Sequence, residues 1–238
     1  MHKTSRYSQF CPVAKAAEVI AERWTPLILR ELLLGNTRFN GIRRGVPGIS
    51  PALLSQRLRE LARAGVINKS GPTGSGEYEL TEAGRELWPV IEAIGNWGKK
   101  WTGDRFRRDE LDAGVLMLDM SRRVNRDALP ATRKCIHFEF AGAPARHGDY
   151  WLMLDPAALT SEAECDCADV CLQDPGFDVD LHVRGALRAM VAIWMGDLSW
   201  ESAMRQRSIE LSGPVELKRQ FPHWFERSPF AGIQRAVG

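Results

Sequence analysis

No stretch of the 238-residue sequence approaches the roughly 18 consecutive apolar residues of a membrane-spanning helix. The segment from Met1 to Phe10 is polar and lacks the apolar core of a secretory signal, so a cytoplasmic protein is the expectation. Cysteine is sparse and odd in number, five in all, which argues for reduced thiols and against a disulfide framework. Internal repeats and low-complexity tracts are absent as well. With 44% hydrophobic and 26% charged residues, the composition excludes disorder and collagen-like structure. Net charge is nearly lacking too, at +2.

That near-neutrality hides an asymmetry. Residues 1–108 carry 18 Lys and Arg against 10 Asp and Glu, whereas residues 109–238 carry 14 against 20. A basic half followed by an acidic half suggests two modules with different partners. The shift falls in the polar stretch from Thr102 to Asp109, which places the domain boundary near 103–110.

In the basic half, Cys11 and Pro12 open a helical pattern with Val13, Ala16, Ala17 and Ile20 at i, i+3, i+4 and i+7. A second helix is expected from Thr25 as cap and Pro26 as first residue to Gly35, and a short third from Phe39 to Arg44. Ser50 and Pro51 then start a fourth helix that Gly65 ends. Its apolar stripe is Leu54, Leu58 and Leu61, while Ala52, Ser55, Gln56, Arg59 and Arg63 line the opposite side. Hydroxyl, amide and guanidinium groups on one narrow helix face can read base edges in a major groove and hold phosphates. A solvated amphipathic helix would look the same in isolation.

The next fifteen residues separate the two possibilities. Val66 to Lys69 and Glu77 to Leu80 read as short strands joined by a glycine-rich tip, Ser70 to Gly76. Three helices, a recognition-type helix and a two-stranded ribbon are the order of a winged helix-turn-helix. The tip is no phosphate-binding loop, since no Lys-Ser or Lys-Thr pair follows and the next segment is a strand.

Several spaced groups carry a family resemblance: Cys11 to Ala14, Arg23 to Leu32, Arg38 with Phe39, Pro47 to Ser50, Leu54 to Leu61, Gly65 to Ile67 and Tyr78 to Gly84. Through about residue 101 the chain resembles the HxlR-type (MarR-like) winged-helix transcriptional regulators. The resemblance implies a homodimeric bacterial regulator that binds double-stranded DNA. Ser50, Ala52, Ser55, Gln56 and Arg59 are then expected in the major groove, with Arg38, Arg43, Arg44 and Lys69 on phosphates.

A last helix capped by Thr81 carries Leu87, Ile91, Ile94 and Trp101, with Trp88 and Trp97 adding aromatic surface, and Pro89 should bend or break it. The resemblance implies that this helix dimerises, through Trp97 and Trp101. Cys11 at a helix N-cap, with Lys15 one turn on, has surroundings that favour a thiolate. A cysteine at this place in the resembling family can act as a redox or electrophile sensor, and a plain buried thiol is the alternative.

The acidic half begins with a helix bearing Leu111, Val115, Leu116, Leu118 and Met120, ending near Asn125. Strand patterns follow at Cys135 to Phe140, Tyr150 to Leu154 and Asp178 to Val183; then come helices at Ala186 to Met195 and Ser199 to Arg205, a strand at Ser208 to Leu211, and a closing helix through Phe221 and Trp224. This order describes an α+β domain with helices on one side of a sheet. Trp151 to Leu154, Asp174 to Leu181, Trp194 to Leu198 and Ile209 to Gly213 resemble the sterol carrier protein-like domain over roughly 109–225. That resemblance implies an apolar cavity for a small hydrophobic effector. The residues expected to line it are Met117, Met120, Trp151, Met153, Met190, Trp194, Met195 and Trp200.

Catalytic signatures are missing. No Gly-x-Ser-x-Gly elbow occurs. Asp178, Asp180 and His182 would share one strand face, but that face points to solvent. Cys165, Cys167 and Cys171 offer three thiols where structural zinc takes four ligands, so no metal is expected.

The expectation is thus a non-enzymatic α+β protein of two domains with no cofactor and no membrane partner. Residues 1–103 form a mostly α winged helix-turn-helix, and residues 109–238 a sterol carrier protein-like domain with a mainly antiparallel sheet. Two alternatives remain open: a lipid or acyl carrier whose winged helix only dimerises, and a repressor switched at Cys11.

Overall fold

The computed structural model describes residues 7–71, 76–102, 106–107, 110–143, 148–156 and 168–236. By compactness the chain divides into Met1–Gly95 and Asn96–Gly238. That division lies inside a helix, ahead of the boundary expected at 103–110. The helix's last turns belong to the second unit: the buried Lys99 ammonium donates to the Met195 carbonyl at 3.0 Å and pairs with Asp197 at 2.5 Å. Burial pushes the Asp197 carboxyl up, but hydrogen bonds and charge from Arg235 and Lys99 outweigh it and hold the group below its ordinary range.

The first unit runs α1 (Pro12–Ile20), α2 (Thr25–Leu33), α3 (Phe39–Gly45), α4 (Pro51–Arg63), β1 (Ile67–Ser70), β2 (Glu77–Leu80), α5 (Glu82–Arg85) and the start of α6 (Trp88–Trp101). Three start and stop signals act as expected. Pro12 and Pro51 stand in first turns, and the Ser50 hydroxyl accepts the Leu53 N–H. Gly65, at φ +72°, closes α4: its N–H donates to Ala62 and the next N–H, of Val66, to Leu61. This left-handed closure satisfies two terminal carbonyls and turns the chain straight into β1.

Thr25 does not cap α2. It is the first helical residue and buried, and Trp24, in the left-handed region at φ 77°, takes the cap position without a side-chain bond. Pro89 marks a break: α5 ends at Arg85 and α6 restarts at Trp88, where a proline in the first turn removes no helical hydrogen bond. The two strands pair antiparallel, with Ile67 opposite Leu80 and Lys69 opposite Tyr78. Of the tip between them, residues 72–75 lie outside the described residues. Ile28, Leu29, Ile42, Leu54, Leu58, Leu61 and Ile67 form the fully buried centre of this unit.

The second unit continues with α7 (Ala113–Arg122), β3 (Lys134–Ala141), β4 (Asp149–Leu154), β5 (Asp169–Cys171), β6 (Leu181–Ala186), α8 (Leu187–Trp194), α9 (Trp200–Arg205), β7 (Ile209–Ser212) and α10 (Val215–Gln220). Its five-stranded sheet has the order β5-β4-β3-β6-β7, antiparallel except for the central β3–β6 pair. Ile136, Phe138, Phe140, Tyr150, Leu152, Leu181 and Val183 lie on one sheet face, in a core shared with Met117, Met120, Met190, Trp194, Phe221 and Trp224. The α+β expectation holds here. The closing helix is shorter than expected, stopping at Gln220 with a single 3-10 turn over Phe221–His223.

Two expectations about this unit need correction. The first concerns the trio Asp178, Asp180 and His182. The strand starts only at Leu181, and Asp180 accepts from the Cys135 N–H at 2.9 Å and pairs with Lys134 at 3.1 Å, so it anchors the strand's entry. His182 serves elsewhere. The second concerns the eight pocket residues, which do not converge. Met117, Met120, Met190 and Trp194 are core, with Met195 and Trp200 packed half-buried against it. Trp151 and Met153 alternate with the core residues Tyr150, Leu152 and Leu154 along β4 and therefore point to the opposite sheet face. In the cysteine trio, Cys165 and Cys167 lie outside the described residues.

Candidate nucleic-acid interface

Helix α4 owes its outer face to the burial of its inner one. Leu54, Leu58 and Leu61 are at most 1% exposed, which fixes the rotation of the helix and leaves Ala52, Arg59, Ala62 and Arg63 outward. Ser55 and Gln56 are half-buried. Gln56 is less available than its spacing suggests, because its amide donates to Glu60 at 2.9 Å. Burial raises the Glu60 carboxyl, but hydrogen bonds from Gln56 and Arg57, with the charges of Arg57 and Arg63, hold it below the usual carboxylate range. Arg57 is a strut: it reaches Glu60 at 2.6 Å, Glu22 at 2.8 Å and the Arg23 carbonyl at 3.3 Å, tying α4 to the α1–α2 connection.

Around this helix stand further cations. Arg43 and Arg44 are exposed in the last turn of α3 and, with Pro47, Gly48, Ser50 and Pro51, line a concavity of about 640 Å³ at the N-terminus of α4. Backbone N–H groups at a helix start favour anions, so phosphate chemistry fits this place. Lys69 is exposed on β1, its ammonium 5.8 Å from the Tyr78 ring centroid. Arg38, expected on a phosphate, is instead tied to the ribbon through Glu77 at 3.0 Å.

The angle between α2 and α3 depends on a residue that spacing alone does not single out. Glu31 is fully buried; its carboxylate accepts from Arg30 at 2.7 and 3.0 Å and from Asn36 at 2.8 Å, while Arg30 also donates to the Gly45 carbonyl at 2.8 Å. A β-carbon at Gly45 would overlap that carboxylate, so glycine is what lets α3 end against α2. The signal in the sequence is a carboxylate inside the run Ile28, Leu29, Glu31, Leu32, all on the buried side of α2.

On α6, Val90, Ile94, Trp97 and Trp101 recur at i, i+4, i+7 and i+11 and are 39%, 49%, 62% and 49% exposed. Ile94 thus lies on the exposed side, while Ile91 packs in the core with Leu87 against it. Cys11 is half-exposed at the N-cap of α1, and the Lys15 ammonium turns to Glu18 at 3.4 Å rather than to the thiol.

The sequence profile of the HxlR-like helix-turn-helix family matches residues 19–106. YvaP of Bacillus subtilis (strain 168), an uncharacterized HTH-type transcriptional regulator, is 35% identical over 103 residues, 42% of this chain and 95% of that protein. YdeP of the same organism, described in the same words, is 40% identical over 107 residues, 43% of this chain and 80% of that protein. Among solved structures, the redox regulator HypR in its oxidized form is 31% identical over 40% of this chain and all of that one, with a TM-score of 0.37.

Proposed function

Because this chain belongs to the HxlR-like helix-turn-helix family, we propose that it is a DNA-binding transcriptional regulator whose α4 enters the major groove. The observation that carries this reading is the outer face of α4. Its inner leucines are sealed, Arg59 and Arg63 project outward, and Arg43 and Arg44 flank its N-terminus. An amphipathic helix needs charge on its outer face, but it does not need a second set of cations around its first turn. Within the groove set, Ser50, Ala52 and Arg59 are the exposed members, the Ser50 hydroxyl also capping α4, with Ser55 and Gln56 supporting from the edge.

The protein acts as a homodimer through the exposed stripe of α6, on a two-fold operator with half-sites about 10 base pairs apart. The second unit is the sensory part. Its sheet order and its one-sided helical packing support the sterol carrier protein-like reading, and the apolar effector follows from that resemblance alone. Such an effector can alter DNA affinity only by preferring one dimer arrangement over another.

Binding of the protein to the DNA upstream of its own gene, followed by fluorescence anisotropy, tests the reading. Arg59→Ala is expected to cost about 1–3 kcal/mol on operator DNA and to reduce its preference over random DNA. Lys69→Ala is expected to weaken binding to every sequence and lower the salt slope by about one. Equal, unchanged binding of Arg59→Ala to operator and random DNA would remove α4 from the groove.

A further inference from the structure

The sheet face turned away from the core carries a polar row that DNA binding does not use. Parallel pairing of β3 with β6 sets His137 beside His182, and antiparallel pairing with β4 sets Trp151 on the other flank of His137. The His137 ring stacks on Trp151, centroids 4.5 Å apart and 17° from parallel. Its Nδ1 lies 3.3 Å from Nδ1 of His182, and its Nε2 lies 3.1 Å from Oδ1 of Asp149. Glu139 follows on the same face, ion-paired with Arg184, and the ligating atoms of His137, Glu139 and Asp149 lie within 4.8 Å of one another.

Hydrogen-bond roles in this row follow from the carboxylate, which when ionised only accepts. His137 must therefore carry its proton on Nε2, and its Nδ1 presents a lone pair. In the neutral pair, His182 supplies the one hydrogen shared between the two Nδ1 atoms. A cation can replace that hydrogen once His182 shifts its own proton to Nε2, because both Nδ1 atoms then offer a lone pair across the 3.3 Å gap.

We propose that His137 and His182 bind a divalent transition-metal ion of the zinc class through their Nδ1 atoms. Four features support the site. Zinc–nitrogen bonds of about 2.0–2.1 Å in a tetrahedron put two ligand nitrogens about 3.3 Å apart, the separation seen here. Asp149 on the far nitrogen of His137 is the carboxylate–histidine arrangement that fixes tautomer and ring direction in metal sites. Trp151 holds the ring in place from one side. Charge is favourable as well, since Asp149 and Glu139, beside His137 on the same face, exceed Arg184 by one negative unit. The site escapes a sequence reading because its two histidines are 45 positions apart and meet only through the parallel strand pair.

Titration of the full-length protein with Zn²⁺ by calorimetry, and with Co²⁺ by visible absorption, tests the proposal. We expect saturable binding of one ion per chain, with a Co²⁺ spectrum of nitrogen and oxygen ligation lacking thiolate charge transfer. His137→Ala and His182→Gln should each weaken binding at least tenfold, and Asp149→Asn about tenfold, with circular dichroism unchanged for these outward-facing positions. His182→Gln preserves a polar side chain of similar reach, so its loss of binding reports ligation rather than folding. Absence of binding by the unmodified protein overturns the site. So does unchanged affinity in both histidine variants, or binding that disappears in Cys171→Ser with a thiolate band in the Co²⁺ spectrum.

Discussion

Glu31→Ala is expected to destabilise the N-terminal unit by about 3 kcal/mol, read as a lower urea midpoint with an unchanged slope. The buried carboxylate accepts hydrogen bonds from Asn36 and, twice, from the Arg30 guanidinium. Hydrogen bonds to charged groups contribute about 1.5–3 kcal/mol each, yet Arg30 is 30% exposed and regains water when its partner is lost, so the total falls below a simple sum. Arg30→Ala removes two of the hydrogen bonds to the buried carboxylate and should cost a comparable amount. Gly45 supplies an independent check. In the unmodified protein a methyl group at 45 collides with the carboxylate, so Gly45→Ala should destabilise by about 2 kcal/mol or more. In the Glu31→Ala background the obstructing atoms are gone and the same change should be nearly neutral. A strictly additive double variant would mean that the carboxylate and Gly45 do not oppose each other, and the proposed basis of the α2–α3 angle would be wrong.

The Glu31 network also marks where sequence reasoning stops. Helix starts and stops are legible because they are local: Pro51 behind Ser50, and Gly65 in a left-handed conformation that other residues adopt at a cost. The inner stripe of α4 is legible because leucines at helical spacing have few other uses. Thr25 misleads since a threonine before proline suits both a cap and a first helical residue, and the choice depends on the left-handed turn at Trp24. The expected pocket misleads for another reason. Methionine and tryptophan fill cores and line cavities equally well, and only strand alternation separates Trp151 and Met153 from Met117, Met120 and Met190. Arg57 and Gln56 sit on a basic helix face like Arg59, but their hydrogen bonds to Glu22 and Glu60 are tertiary or geometric facts that no spacing encodes. The histidine pair of the sheet is the extreme case, created entirely by register.

Trp97→Asp combined with Trp101→Asp is expected to convert the protein to a monomer and to reduce operator affinity at least 100-fold. Tryptophan buries about 150–250 Å² when covered. At 62% and 49% exposure, each of these side chains still offers roughly 100 Å². Two chains pairing through this stripe would cover about 400 Å² of tryptophan alone, on the order of 10 kcal/mol at 25 cal/mol/Å². Association costs about 4–15 kcal/mol before any contact is made, so the proposed dimer depends mainly on the tryptophans, with Val90 and Ile94 adding to the same stripe. Loss of the dimer then removes the second half-site from reach, and with it the effective-concentration gain of about 10²–10⁴ that linked binding supplies. Sedimentation velocity measures the first effect and anisotropy on operator DNA the second. The pair of aspartates lies on a half-exposed face, so circular dichroism should be nearly unchanged, while the thermal transition falls by the stabilisation that association supplied. A variant that stays dimeric would move the interface to another surface, while a monomer that keeps full operator affinity would show that one copy of α4 suffices.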